Sequence, residues 1–313
     1  MNGIIIVDKP AGWTSHDVIA KLRGALKIKR IGHGGTLDPM ATGVLPVFIG
    51  RATRAAEFCE NAEKEYIAEL KLGIVTDTQD ITGTILSKNE VTATLKDLID
   101  VLPDFTGALK QTPPMYSAIK KDGKKLYELA RRGIDIPREA RDIYISSLEV
   151  VSNELHSKTC KNLSKVGNQE NNNSQPPDTY TLRIACSKGT YIRTVCHDIG
   201  AALGSGGTLT ALRRTRAGVY SIEMAHTLED VLKNVLTDSV SNIIQPVDSI
   251  FSDYSALSLS ESEVRRAKNG AECQVKEKIT NGKYRVYAPD GEFLLLGEVN
   301  NNVIKTIKSF FEV

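Results

Sequence analysis

The amino-acid sequence predicts an α+β protein: a mixed, sheet-based domain with interspersed helices, then a small, mostly β C-terminal domain. Three features of the chain carry this. Stretches of period-two alternation and stretches of helical spacing follow one another along most of its length. Their spacing is too irregular for the repeated strand-helix-strand units of a doubly wound fold. After Gln245-Pro246 the texture changes to short strands and turns. With 313 residues there is room for two domains of about 100–200 residues, and the boundary is expected between 1–245 and 246–313.

Taken in order, Ile4-Ile5-Ile6-Val7 is a β-branched run ended by Asp8-Lys9-Pro10, a strand entering a turn. Thr14 or Ser15 can cap a helix through about Leu26, with Val18, Ile19, Leu22, Ala25 and Leu26 on one face. Val44–Ile49 reads as a buried strand. Lys64–Leu72 alternates, placing Tyr66, Ala68, Leu70 and Leu72 on one side. Helical signals recur at 91–101 and at Lys124–Arg132, the latter stopped by Gly133. Strands return at 143–151 and 179–186, and a helix from about Thr190 to Leu203 ends in the glycine-rich 204–207. Residues 156–178 are polar and nearly free of aliphatic side chains; such a segment buries too little to offset its ordering entropy, so a mobile surface loop is expected. In the tail, Pro289-Asp290-Gly291 between Tyr284–Tyr287 and Phe293–Val299 is a hairpin signal, with a further strand at Val303–Ile307.

Composition narrows the function. The chain is 41% hydrophobic and 25% charged, and 40 basic against 38 acidic residues give a net charge of +2. That is too near neutrality to argue nucleic-acid binding globally, so local clusters must carry the argument. Lys21, Arg23, Lys27, Lys29 and Arg30 form one cluster, Lys120, Lys121, Lys124 and Lys125 a second, and Arg213, Arg214 and Arg216 a third. Each lies near a glycine-bearing loop, which favours contacts to a phosphate backbone over a plain solvated face. Five scattered cysteines without a C-x-x-C pair argue against disulfides and zinc. No apolar run reaches the roughly 18 residues of a membrane span, so a cytoplasmic protein is expected.

No phosphate-binding G-x-x-x-x-G-K-[ST] or G-x-G-x-x-G is present, and no cofactor is expected. Ser117-Ala118-Ile119-Lys120 matches the S-x-x-K of serine acylases but lacks its companion motifs. The stretch GHGGTLDPMATGVLP at 32–46 is more telling. Its glycines allow unusual backbone conformations, Pro39 stiffens the residue after Asp38, and a single carboxylate sits in a long loop after a basic helix. An isolated Asp-Pro is usually a turn former. Here the loop better suits a presented nucleophile.

That stretch resembles the catalytic signature of the bacterial TruB-type tRNA pseudouridine synthases, which modify uridine 55 in the T-loop. Lys9-Pro10-Ala11-Gly12-Trp13-Thr14-Ser15 is similar to the family's KPxGxTS opening and Lys64-Glu65-Tyr66 to its tyrosine-bearing strand. Residues 113–120, PPMYSAIK, resemble its PPxYSAxK segment, and Cys186–Arg193 with Leu212-Arg213-Arg214 complete the set in family order. The likeness is strong over about 1–225, while the tail resembles a PUA-type RNA-binding domain more loosely. It implies a largely antiparallel sheet flanked by helices. It also implies a cofactor-free isomerase acting on the tRNA T-stem-loop, with neither a membrane nor a protein partner and a monomer by default.

The resemblance also implies roles. Asp38 is the nucleophile, at the ribose C1′ or the uracil C6; because the base returns to its own sugar, no water-activating second carboxylate is needed. Arg193 pairs with that aspartate and keeps it ionised. Tyr66 stacks on the target base, His33 enters the T-loop when the uridine flips out, and Tyr191 and Leu212 line the uridine pocket. Lys9 joins them as a substrate-binding candidate. Gly34 stands where the family commonly has threonine, a departure expected to loosen the loop without abolishing catalysis. Three other readings remain open at this level: an RNA-binding or folding-assistance module, a nucleoside hydrolase or glycosylase releasing free uracil, and, more distantly, a serine acylase.

Overall fold

The computed structural model describes residues 1–121, 123–151, 177–275 and 279–311. The expected loop at 156–178 therefore lies outside the described residues except for its last two positions. The chain begins with β1 (Gly3–Lys9), α1 (Ser15–Leu26), β2 (Ile31–His33), β3 (Thr42–Ile49) and α2 (Ala56–Asn61). Next come β4 (Lys64–Leu72), β5 (Ile74–Thr76), β6 (Ile85–Lys88), α3 (Leu95–Val101), β7 (Gly107–Gln111), the short pair β8 (Lys120–Lys121) and β9 (Lys124–Lys125), and α4 (Leu126–Ala130). Strands β10 (Arg141–Val150) and β11 (Thr179–Cys186) lead to α5 (Ile192–Ala202), β12 (Gly207–Ala217), β13 (Tyr220–Ser221), β14 (His226–Thr227) and α6 (Leu228–Leu236). The tail holds β15 (Ser255–Ser258), α7 (Glu261–Lys268), β16 (Cys273–Gln274), β17 (Gly282–Tyr287), β18 (Phe293–Asn300) and β19 (Val303–Ser309). These form two compact units: Met1–Pro39 with Gly43–Asn61 and Ala217–Val313, and Met40–Thr42 with Ala62–Arg216.

In the first unit β1 lies between β14, to which it is parallel, and β3, to which it is antiparallel from Gly3↔Ile49 to Lys9↔Gly43. The unbroken Ile4–Val7 run has a physical reason: both faces of β1 are covered. Ile5 and Val7 pack with Val18, Ile19 and Leu22 of α1 and with Leu228 and Val231 of α6. Ile4 and Ile6 point the other way, into a core with Phe48, Ala52, Ala55 and Cys59 that also takes Phe251, Leu296 and Phe310. The tail's five strands run β15-β17-β18-β19-β16, antiparallel except for β15 with β17. The second unit carries strands in the order β12-β4-β11-β10-β7, with β4–β11, β11–β10 and β10–β7 paired antiparallel.

Several elements differ from expectation for local reasons. The helix expected at 91–101 starts at Leu95, because Thr94 and Asp97 close a capping box there. The helix expected at Lys124–Arg132 shrinks to α4, since Lys124 and Lys125 pair with Lys121 and Lys120 in a hairpin. The 204–207 glycines form a tight return: a Cβ on Gly200 would sit 2.2 Å from the Gly207 nitrogen. Strand β12 and helices α6 and α7 have no counterpart in the sequence reading.

Candidate active site

Asp38 is partly buried and lies in the loop between β2 and β3. The chain on either side of it hangs from the turn at 9–15. Ser15, fully buried at the start of α1, receives the Leu37 N–H on its Oγ at 2.9 Å and donates to the Leu37 carbonyl at 3.3 Å. The Gly12 N–H donates to the Pro39 carbonyl at 2.8 Å. Lys9 is 0% exposed, and its ammonium donates to the carbonyls of Pro10, Trp13 and Pro39. Lys9, expected among the substrate-binding residues, thus grips the loop backbone. The KPAGWTS turn therefore fixes the residues immediately before and after Asp38. A carboxylate on a loop pinned at both neighbours is preorganised.

His33 closes β2, paired with Val47 in register, and its ring meets that of His16 edge-on at 5.4 Å. Gly34 follows and corrects the expectation of a loosened loop. A Cβ there would lie 2.7 Å from Cβ and Sγ of Cys59 and 2.9 Å from Phe48, so the position is closely packed. The Cys59 thiol donates to the Gly34 carbonyl at 3.5 Å.

The second unit gathers Tyr66, Tyr191, Arg193 and Leu212. Tyr66 is half-buried on β4, opposite Ile184 of β11. Leu212 is buried on β12, the other neighbour of β4. Tyr191 is the N-cap of α5, reached through the Ser187–Thr190 turn, where Thr190 donates to the Ser187 carbonyl. Both backbone groups of Tyr191 bond to the Gln111 side chain. Arg193, in the first turn of α5, donates through Nη1 to the Thr78 carbonyl at 3.2 Å and to Asp80 Oδ2 at 3.3 Å, and through Nη2 to the Tyr116 carbonyl at 3.0 Å. Both side chains of the Arg193–Asp80 pair are under a tenth exposed, at 6% and 7%. Asp80 is in turn held by Thr78 and Thr82. Asp80 and Gln111 were missed by the sequence reading. In the sequence Asp80 is one acid in a polar turn, and nothing local marks Gln111.

The remaining candidates sort out by burial. Ser117 of the S-x-x-K match is buried while Lys120 is exposed in the β8–β9 hairpin, an arrangement unsuited to a serine nucleophile. Burial pushes the Cys196 thiol up to about 12 and Cys186 up to about 11, which makes both inert packing residues. Burial and nearby Asp77 also raise Tyr116. Among the described residues, no group of three His, Cys, Asp or Glu could hold a metal ion, and no helix is long and apolar enough to cross a membrane. The Arg213–Arg216 cluster is not a basic surface patch. Strand geometry buries Arg214 to 1% exposure, Arg213 donates to Thr42, and Arg216 pairs with Glu63. The clusters at 21–30 and 120–125 are largely exposed.

Residues 23–192 match the family model for the N-terminal domain of TruB family pseudouridylate synthases, and 193–252 match a tRNA pseudouridylate synthase B C-terminal domain. A tRNA pseudouridine synthase B of Syntrophomonas wolfei is 39% identical over 302 residues, 96% of this chain and 94% of that protein. One from Clostridium perfringens is 38% identical over the whole of both chains. Among solved structures, a chain in a Cbf5-Nop10-Gar1 complex superposes with a TM-score of 0.70 at 25% identity, covering 99% of this chain and 85% of that one. With sequence matches spanning its full length and a shared fold, this chain belongs to the TruB family of pseudouridylate synthases.

Proposed function

We propose that this enzyme converts uridine 55 in the T-loop of tRNA to pseudouridine, without a cofactor, by flipping the base out and using Asp38 as the nucleophile, at the ribose C1′ or the uracil C6. The observation that carries the reading is the loop itself: one carboxylate, with the backbone pinned at both neighbouring residues by Ser15, Gly12 and Lys9. The reaction breaks the bond from C1′ to N1 and forms one from C1′ to C5. N1 gains a proton, C5 loses its hydrogen to solvent, and the Asp38 carboxylate is regenerated. One nucleophile suffices because nothing is hydrolysed. In this reading Tyr66 stacks on the base, Tyr191 and Leu212 line its pocket, and His33 fills the vacancy left in the T-loop. Arg193 supplies positive charge, and its guanidinium is fixed in direction by three acceptors. Residues 1–245 carry the chemistry and 246–313 contribute RNA binding. The tRNA substrate named for the relatives fits the exposed basic segments at 21–30 and 120–125.

The test is a T-stem-loop RNA tritiated at uracil C5. Wild type is expected to release tritium and leave pseudouridine in the strand, and Asp38→Ala to release none. Free uracil would show a glycosylase, and an equally active Asp38→Ala would remove Asp38 from the chemistry.

A further inference from the structure

The start of α5 is held by a side chain eighty residues earlier in the sequence. Gln111 ends β7 and is 5% exposed. Its Oε1 accepts the Tyr191 N–H at 2.8 Å, and its Nε2 donates to the Tyr191 carbonyl at 3.1 Å. Only one orientation of the amide satisfies both bonds, since a carboxamide has one accepting and one donating end. Tyr191 offers no side-chain cap of its own, and its carbonyl also accepts the first helical bond, from Val195. Gln111 thus fixes the point at which the chain turns into helix. The same segment grips the helix again, where the Tyr116 carbonyl accepts from Arg193.

We propose that Gln111 is a positioning residue for the reaction: clamped to both backbone groups of Tyr191, it sets the direction of the Tyr191 ring and of the Arg193 guanidinium. This rests on the proposed function, in which those two side chains serve the target uridine. The clamp demands an acceptor and a donor side by side. Leucine has neither, and an ionised glutamate has no donor. A protonated glutamate has both, a carbonyl oxygen and an O–H.

The chemistry of the clamp therefore predicts a pH signature that a merely space-filling role would not show. Full-length wild type, Gln111→Glu and Gln111→Leu are compared in single turnover on the tritiated stem-loop, with RNA affinity measured in parallel. At about pH 8, Gln111→Glu is expected to react about 10- to 100-fold more slowly than wild type. Its RNA dissociation constant should stay within about threefold. The ratio of its rate to that of wild type should climb as pH falls to about 5.5 and the introduced carboxyl takes its proton. Gln111→Leu should be slow at every pH; if it does not fold, Gln111→Glu still reads the effect. A ratio near one throughout overturns the proposal. So does a loss that does not recover at low pH, which would assign Gln111 to stability alone. A wild type that releases no tritium overturns the proposed reaction and this role with it, whereas an active wild type with unaffected variants overturns only the role of Gln111.

Discussion

Arg193 shows how much a single side chain is asked to satisfy. Its guanidinium meets two carbonyls and the Asp80 carboxylate. A lysine ammonium is a point donor and cannot reproduce that fork. Breaking a buried pair by altering one partner costs about 3–5 kcal/mol when a charge is left alone, and less when the charge is kept. Arg193→Lys keeps it, so the main effect falls on direction. Turnover should drop about 100-fold while RNA affinity changes little, and an unaltered single-turnover rate would sink the role. Gly34 poses the opposite problem, because it must be empty of side chain. Gly34→Ala places a Cβ against Cys59 and Phe48 and should cost about 1–3 kcal/mol in urea unfolding. An unchanged midpoint would mean that α2 yields freely. From the sequence, Gly34 reads as slack in a glycine-rich loop; only the fold brings Cys59, 25 residues away, over it.

Helix α1 puts two adjacent hydroxyls to different uses. Thr14 closes a capping box with Asp17 at the surface, whereas Ser15 is buried and holds Leu37. Thr14→Ala should therefore cost about 1 kcal/mol of stability with the rate on tritiated RNA unchanged. Ser15→Ala leaves the buried Leu37 N–H without this acceptor beside Asp38, so it should lower stability by about 1–3 kcal/mol and turnover as well. Equal effects of the two variants on turnover would refute this division. The helix itself was legible, because cap and apolar face are local signals, and so were β1, β4, β11 and the Pro289-Asp290-Gly291 hairpin. Strand β12 was not. Its burial shows no period-two alternation, with Leu209, Ala211, Leu212, Arg214 and Thr215 all buried, and an arginine-rich segment reads as surface until the fold covers it. For the proposed site, contiguous motifs are what point to Asp38, His33, Tyr191 and Arg193. Gln111 and Asp80 become visible only through contacts with residues 80 and 113 positions further along the chain.

At the scale of the whole chain, the tail is bound into the fold that carries Asp38. Phe251, Leu296 and Phe310 fill the same core as Ile4, Ile6 and Phe48. Arg51 donates to the Phe310 carbonyl, Arg54 to the Ser309 carbonyl, and Lys308 pairs with Glu57. Those anchors lie on the segment that includes Cys59, whose thiol bonds to the Gly34 carbonyl in the loop leading to Asp38. An RNA-binding module on a flexible tether could be removed at little cost to the rest. Here removal uncovers one face of β1 and β3, exposing aliphatic and aromatic side chains that are fully buried in the complete chain. Uncovering even three or four large apolar side chains at about 1.5–3 kcal/mol each rivals a net stability of about 5–15 kcal/mol. A chain ending at residue 245 should therefore aggregate or lose its cooperative thermal transition. If it melted at the full-length temperature and differed only in RNA affinity, the tail would be an independent module, and its grip on the Asp38-bearing core would count for nothing.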